Sequence, residues 1–170
     1  LSLAEEAKNA GLLFLLLTGG EPFLYPDFEK LYTGLAQKGL ILTLNSNGTL
    51  IDEHVADVLA ENRPRRVNIT LYGSSDEIYG RLCKNPKGFT QTMRGIELLK
   101  KRNVAVKLNC SLTVENKDDL ENIQRIAKEL DIPVVIHDRE AHEDTLSILA
   151  QYPTVRGVMH CYSGSAEMAK

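Results

Sequence analysis

The stretch LLFLLLTGGEP, residues 12–22, decides how the rest of the chain is interpreted. Its apolar run is too short to cross a bilayer and looks like a buried strand. The run stops at Thr18, and the paired glycines Gly19 and Gly20 then lead to one carboxylate, Glu21. Glycines after a strand let backbone groups approach a ligand, and a carboxylate accepts hydrogen bonds from an ammonium group. The pattern equally fits a tight turn into a helix that begins near Pro26.

Five further short runs rich in Leu, Ile and Val also predict strands. They are LILTLN (40–45), RVNITL (66–71), VAVKLN (104–109), PVVIH (133–137) and RGVMH (156–160). Between the strands, apolar residues at helical spacing predict amphipathic helices around residues 28–35, 55–59, 96–99, 120–130 and 146–149. Strands that alternate with helices pair in parallel through right-handed crossovers. The sequence therefore predicts an α/β fold, a parallel (β/α)6 open or partial TIM-like barrel, as a single domain over residues 1–170.

Capping signals support these helices. Asp52 and Asn116 stand where they could cap helix starts, and Gly39 could end the first full helix. Pro153 follows the last predicted helix.

Composition limits the function classes. A chain of 170 residues that is 43% hydrophobic with a net charge of -3 predicts one soluble globular domain. No basic stripe favours nucleic acid or an anionic membrane as a partner. No signal peptide is recognisable, and three separated cysteines fit reduced thiols, so we expect a cytoplasmic protein. The chain begins with Leu1 rather than Met, which suggests a fragment of a longer protein.

Polar residues collect at the carboxyl ends of the predicted strands, where parallel α/β folds bind ligands. They are residues 18–21, 45–48, 70–73, 109–113, 137–139 and 160–161. Loop chemistry alone would make most of these endings polar. Histidines directly on two strand tips, His137 and His160, are less expected. This edge is therefore the predicted functional face, with a small molecule as its ligand.

The motif TGGEP resembles the glycine-glycine-glutamate motif of radical S-adenosylmethionine enzymes. SNGTLID (46–52) and the segment from NITLYGSS to TVEN (68–116) are similar to later parts of the same family, in its peptide-modifying, SPASM-containing branch. The resemblance covers about residues 1–126. It implies that Gly19, Gly20 and Glu21 bind the amino end of S-adenosylmethionine, and that Asn47 and Thr70 face the cofactor.

Several positions depart from that family's pattern. Tyr72 stands where the family often has an Asp, which puts a ribose contact in doubt, and Arg81 fits a solvated charge better than a carboxylate partner. The family also holds a 4Fe–4S cluster with a CxxxCxxC loop. That loop is absent from this sequence, and Cys83, Cys110 and Cys161 cannot replace it by their spacing. The resemblance therefore implies the cofactor site without the cluster ligands, and without radical catalysis.

From about residue 127 the sequence resembles a different family. HDREAHEDT (137–145) and HCYSGS (160–165) are similar to motifs of TatD-type metal-dependent deoxyribonucleases, which are (β/α) barrels. The resemblance implies that His137 and His160 are ligands of a divalent metal, Zn, Mn or Mg, that activates water for phosphodiester attack. The other ligands of that family have no counterpart here. Strand-end histidines without a metal are the alternative, and His54 and His142 fit a helix surface.

The two resemblances meet in a helix-to-strand passage near residues 123–133, so the chain is interpreted as a recombined or engineered chimera. Three hypotheses follow: an S-adenosylmethionine-binding module, a remnant of a metal-dependent hydrolase, and a folded scaffold without activity. An open barrel would leave the first and last strands as uncovered apolar edges. We therefore expect self-association through those edges.

Overall fold

The computed structural model describes residues 1–113, 115–138, 146, 147 and 150. Within them the chain forms six α-helices and five β-strands. In chain order these are α1 Ser2–Asn9, β1 Phe14–Leu17, α2 Phe28–Gln37, β2 Ile41–Ser46, α3 Glu53–Glu61, β3 Arg66–Thr70, α4 Asp76–Cys83, α5 Gly88–Lys101, β4 Val106–Leu112, α6 Leu120–Glu129 and β5 Val134–Asp138. The predicted sixth strand, 156–160, lies outside the described residues, as do half of the helix predicted at 146–149 and Pro153.

The strands form a parallel sheet in the order β1-β2-β3-β4-β5, which confirms the predicted α/β class. The chain divides into two compact units. The first comprises Leu1–Ile69 and Gln91–Lys107, and the second comprises Thr70–Thr90 and the described residues from Leu108 onward. No helix in the described part of the chain is long and apolar enough to cross a bilayer.

In the first unit, β2 separates a buried face from an open one. Leu42, Leu44 and Ser46 are buried, whereas Thr43 and Asn45 are partly exposed. Such alternation is expected because successive strand side chains point to opposite faces. The core on the buried side contains fully buried side chains from strands and helices: Tyr32, Leu44, Leu59, Ile69, Ile96 and Leu99.

Strand β1 is much less covered than its sequence suggests. Leu12, Leu13, Phe14 and Leu16 are 37 to 55% exposed. The apolar run therefore forms a strand, as predicted, but not a buried one. Its position at the end of the strand order explains this, because an edge strand has a neighbour on one side only.

The second unit is held by a polar network around the loops that follow Thr70 and β4. The Asp119 carboxylate accepts hydrogen bonds from Ser74 N–H and Ser74 Oγ, both at 2.6 Å. Asn116, 1% exposed, donates from Nδ2 to the carbonyls of Tyr72 and Ser111. These bonds satisfy backbone groups of the loop after Thr70 and of the end of β4.

Candidate functional site at the end of strand β1

Glu21 is the residue around which the candidate site is built. It follows β1 and begins a short 3-10 helix, Pro22–Leu24. Its Oε1 accepts a hydrogen bond from Ser46 Oγ at 2.8 Å and a longer one from Phe23 N–H at 3.4 Å. Its Oε2 accepts one from Asn47 N–H at 2.8 Å. The carboxylate is therefore fixed against the carboxyl end of β2.

The fold explains why these groups meet. β1 and β2 are parallel and paired from Phe14–Ile41 to Leu17–Leu44, so both strands end at the same edge. Ser46, the last residue of β2, is 5% exposed, and its Oγ also accepts a hydrogen bond from Gly48 N–H at 2.9 Å. Ser46 thus donates to Glu21 while it accepts from the turn that follows.

Gly19 and Gly20 leave open space beside this carboxylate. A Cβ placed on either residue would meet no other atom within 4 Å. Gly19 has a φ of +149°, a region that favours glycine, and both residues are exposed. The backbone here is accessible to a ligand, as the sequence predicted.

Asn47 is held by a turn of its own. Its Oδ1 accepts hydrogen bonds from Thr49 N–H at 2.9 Å and Thr49 Oγ1 at 2.7 Å, which is an Asx turn. The left-handed residue of the turn is Gly48, with a φ of +77°. The Asn47 carbonyl accepts from Thr92 Oγ1 at 3.0 Å, so both ends of the residue are anchored.

The remaining cofactor candidate, Thr70, ends β3 and belongs to the second unit. Tyr72 in that unit donates its N–H to Tyr79 Oη at 3.2 Å. Arg81 is exposed on α4. The structure thus brings Glu21 and Asn47 together in the first unit, and the cofactor roles of all five predicted residues remain predictions.

Ser46 is the residue that the sequence interpretation missed. The signal was present, because a hydroxyl at the last position of an apolar strand is placed like the neighbouring Asn47. Its importance comes from its burial and its double hydrogen bond, neither of which a sequence pattern shows.

The thiols in the described part of the chain do not form a cluster site. Cys83 is the last residue of α4, and it is exposed. Cys110 is fully buried in β4. Burial, helped by the nearby Asp119 charge, raises the pKa of the Cys110 thiol to about 12, which opposes the thiolate form that iron requires. Cys161 lies outside the described residues.

The predicted metal ligands cannot be placed against each other. His137 belongs to β5, but its side chain is outside the described part of the chain, and so is His160. Among the described residues, no group of three or more His, Cys, Asp or Glu side chains could hold a metal ion. His54 is exposed on α3 and lies 3.1 Å from Glu29 Oε2, as expected of a helix-surface histidine.

The structure thus has a parallel α/β sheet with a glycine-flanked carboxylate at one strand end. The family model described as Radical SAM superfamily matches residues 1–137. The chain belongs to the radical SAM superfamily.

Relatives and solved structures agree with this membership. The AdoMet-dependent heme synthase of Oleidesulfovibrio alaskensis is 30% identical over 129 residues, which are 76% of this chain and 33% of the relative. That of Methanosarcina barkeri is 28% identical over 74% of this chain and 36% of the relative. The chain thus spans about a third of these curated relatives.

The fold similarity extends to structures with a cofactor. The crystal structure of Streptococcus suis SuiB bound to S-adenosylmethionine has a TM-score of 0.73 at 17% identity, over 89% of this chain and 36% of that chain. A structure described as native anSMEcpe with bound AdoMet and Cp18Cys peptide has a TM-score of 0.68 at 26% identity, over 81% of this chain and 41% of that chain.

A second family model, described as TatD related DNase, matches residues 107–170 and overlaps the first. The uncharacterized metal-dependent hydrolase YabD of Bacillus subtilis is 43% identical over 56 residues, which are 32% of this chain and 22% of the relative. This similarity is short, and nearly half of the residues matched by the family model lie outside the described part of the chain.

Proposed function

We propose that the first unit is a binding module for S-adenosylmethionine, centred on Glu21. The observation that carries the proposal is the geometry of its carboxylate. Each carboxylate oxygen can accept two hydrogen bonds, and the bonds described above occupy three of the four positions. Oε2 therefore retains an acceptor position beside the open backbone of Gly19 and Gly20, which suits the ammonium group of an amino acid.

The roles of the neighbouring residues follow from this arrangement. Ser46 and Asn47 N–H fix the carboxylate before a ligand arrives, which lowers the entropy cost of binding. The carbonyls of Gly19 and Gly20 are further acceptors for the same ammonium group. Asn47 presents its amide from an anchored turn. In radical enzymes, S-adenosylmethionine supplies one-electron chemistry that no side chain can provide.

We further propose that this chain by itself does not perform radical catalysis. A 4Fe–4S cluster needs several thiolates that converge on one point. Cys83 and Cys110 do not meet this requirement, because one is exposed at a helix end and the other is buried with a raised pKa. After anaerobic addition of iron and sulfide, we expect no 5′-deoxyadenosine from S-adenosylmethionine and dithionite. Its formation would contradict the proposal.

Thermal unfolding with millimolar S-adenosylmethionine tests the binding function. A ligand at about a hundred times its dissociation constant stabilises the folded state by about 2.7 kcal/mol. We expect an upward shift in Tm for the wild type that is lost in Glu21→Gln. Glu61→Gln is the matched control, because Glu61 is exposed at the end of α3 in the same unit.

Methylthioadenosine separates the two halves of the ligand, because it lacks the methionyl amino group. Its effect on Tm should be the same for wild type and Glu21→Gln. No shift with S-adenosylmethionine, or an equal shift in Glu21→Gln, would contradict a role for Glu21.

A second candidate function rests on the similarity to TatD and YabD. We propose that the chain is a chimera joined near residues 123–133, with His137 and His160 as a remnant metal site of a phosphodiester hydrolase. Hydrolysis of bis(p-nitrophenyl) phosphate with Mn²⁺ or Zn²⁺ would support this alternative if His137→Ala abolished it. Equal hydrolysis rates in the wild type and His137→Ala would contradict this alternative function.

A further inference from the structure

The face of the first unit's sheet opposite its core carries a row of polar side chains. Register places Thr43 beside Arg66 and Asn45 beside Asn68, so these four residues share one face. The core face carries Leu44 and Val67 instead. A polar face on an interior strand pair is unusual unless it meets water or a ligand.

A cavity of about 320 Å³ opens on this face. It is lined by Phe14, Leu15, Leu16, Thr43, Arg65, Arg66 and Asn68. One wall is formed by β1, where Phe14 and Leu16 are about half exposed and the Arg65 guanidinium lies over the Phe14 ring, 5.5 Å from its centroid. The opposite wall is polar and cationic. A ligand with an apolar body and a charged end would therefore match the two walls.

Hydrogen bonds fix the Arg66 side chain on the polar wall. Its Nε donates to Asn68 Oδ1 at 3.1 Å, and Asn68 Nδ2 in turn donates to Asn45 Oδ1 at 2.7 Å. Asn68 is only 9% exposed, so this row is held in place. The bond uses Nε and leaves the two Nη groups of the guanidinium, the fork that binds carboxylate or phosphate in a bidentate manner.

Lys107 adds a second cation. It lies in β4, the strand next to β3. The two chain segments are joined by a hydrogen bond from Val67 N–H to the carbonyl of Ala105, which is two residues before Lys107. Two-residue spacing in a strand returns to the same face. Partial burial of the ammonium group, together with the Arg66 charge, lowers the pKa of Lys107. The two residues thus bring two positive charges to one face, although Lys107 is not among the residues that line the cavity.

The part of the chain that the structure describes offers no carboxylate ion pair to either Arg66 or Lys107. Two other cations of the first unit do have carboxylate partners: Arg102 bonds Glu53 and Asp57, and Lys38 bonds Glu5. Two like charges without a counterion destabilise the free protein. An anionic ligand would remove that cost.

We propose that this open face is a binding site for a small organic anion, with Arg66 and Lys107 holding its carboxylate or phosphate group and Phe14 and Leu16 contacting its apolar part. The site contains none of the residues assigned to S-adenosylmethionine. It would therefore hold a second molecule, and its existence does not depend on the proposed cofactor function.

Calorimetry and NMR on the whole chain test the site with benzoate and phenyl phosphate as probes and benzyl alcohol as the neutral control. We expect both anions to bind and benzyl alcohol not to bind. Tighter binding of phenyl phosphate, which carries more charge near neutral pH, would identify phosphate as the preferred group, and tighter benzoate binding a carboxylate. Shifts of amide signals should concentrate at Thr43, Asn45 and Asn68.

Arg66→Gln and Lys107→Met should each weaken anion binding about tenfold, as expected for one lost charge-assisted contact. Arg63→Gln and Lys101→Met remove exposed charges outside the cavity and should bind like the wild type. Circular dichroism establishes that each variant is folded. The proposal is overturned if the wild type binds neither anion, if its amide shifts lie elsewhere, or if folded site and control variants bind equally well.

Discussion

At the scale of the residue, the buried hydroxyl of Ser46 is expected to contribute to the stability of the fold and of the Glu21 site. In Ser46→Ala, Gly48 N–H loses its acceptor and the Glu21 carboxylate loses a donor. Because a buried polar group without a partner is unfavourable, we expect the free energy of unfolding to fall by about 1 to 3 kcal/mol. Urea denaturation followed by circular dichroism measures this change.

Ser2→Ala is the control for that experiment, because Ser2 is exposed in α1. S-adenosylmethionine binding should also weaken in Ser46→Ala, since the carboxylate is less well fixed. An unchanged stability would mean that water replaces the hydroxyl at this site.

Substitution of Lys107, unlike that of Ser46, should not lower the free energy of unfolding near neutral pH. The lowered pKa of Lys107 means that the folded state binds fewer protons than the unfolded state between that pKa and the ordinary lysine value of about 10.4. The contribution of this lysine to stability is therefore unfavourable while it is charged, and it improves as pH rises through that window. We expect Lys107→Met to be as stable as the wild type or more so near neutral pH.

The difference between the two unfolding free energies should narrow as pH rises through the same window, measured by urea titration at several pH values. Lys101→Met is again the control. A loss of stability in Lys107→Met would mean that the lysine stem contributes more through packing than the charge costs.

Sequence reasoning reached part of this site. Glu21 and its glycines stand next to each other in one motif, so a single stretch reveals them. Ser46 meets Glu21, and Arg66 shares a face with Lys107, only through strand pairing, which no local pattern specifies. The polar wall of the cavity lies along the strands, whereas the sequence predicted functional residues at the carboxyl ends of the strands.

At the scale of the element, some of the predicted helix caps are present in the structure and one is not. Asp52 caps α3, because its Oδ1 accepts a hydrogen bond from Val55 N–H at 2.8 Å. Gly39 follows α2 with a φ of +76°, as predicted for a residue that ends a helix. Asn116 does stand at a helix start, the N-cap position of the 3-10 helix Lys117–Asp119, but its side chain makes no cap bond. Its amide instead accepts a hydrogen bond from Thr113 N–H and donates to the carbonyls of Tyr72 and Ser111.

Asp52→Ala should remove the cap of α3 and lower the free energy of unfolding by about 1 kcal/mol. Asp52→Asn is the matched variant, because it keeps an acceptor oxygen and should lose much less. Thermal unfolding of both variants checks this expectation. Equal losses would point to the negative charge at the helix start, rather than the hydrogen bond, as the stabilising factor.

Two helices were not predicted, α1 and α4. Helix α1 has no buried residue, so the apolar pattern that marks a core-facing helix is weak there. Helix α4 buries Tyr79 and is capped by Ser75, whose Oγ accepts from Ile78 N–H at 3.3 Å. Its polar sequence resembles a loop, and tertiary contacts override that preference.

At the scale of the whole molecule, the exposed β1 edge leads to a prediction about association. Among the described strands, β1 ends the strand order and exposes several large apolar side chains. We expect concentration-dependent self-association, which sedimentation velocity measures. Leu13→Lys should reduce it, because a lysine directly before the edge strand β1 opposes pairing with another chain.

Leu24→Lys is the control, since Leu24 is 70% exposed but lies in the 3-10 helix. Equal association of the two variants would assign the contact to another surface. A monomeric wild type at high concentration would contradict the prediction itself.

The alternation of strands and helices was predictable from the sequence, because the spacing of apolar residues within one short segment indicates whether that segment is a strand or a helix. Single-domain organisation and a cytoplasmic location stay predictions. The interpretation of the chain from residue 127 onward depends on side chains that lie mostly outside the described part.

The strand order has a consequence for how the protein is made. Each described strand after β1 pairs with the strand that precedes it in the chain, so one of its partners has always been synthesised first. A chain emerging from the ribosome can therefore add one strand at a time to a growing sheet without waiting for a distant segment. Slow translation should therefore not harm folding. A chain that stops early would instead expose its last completed strand as an unpaired edge that can associate with another chain.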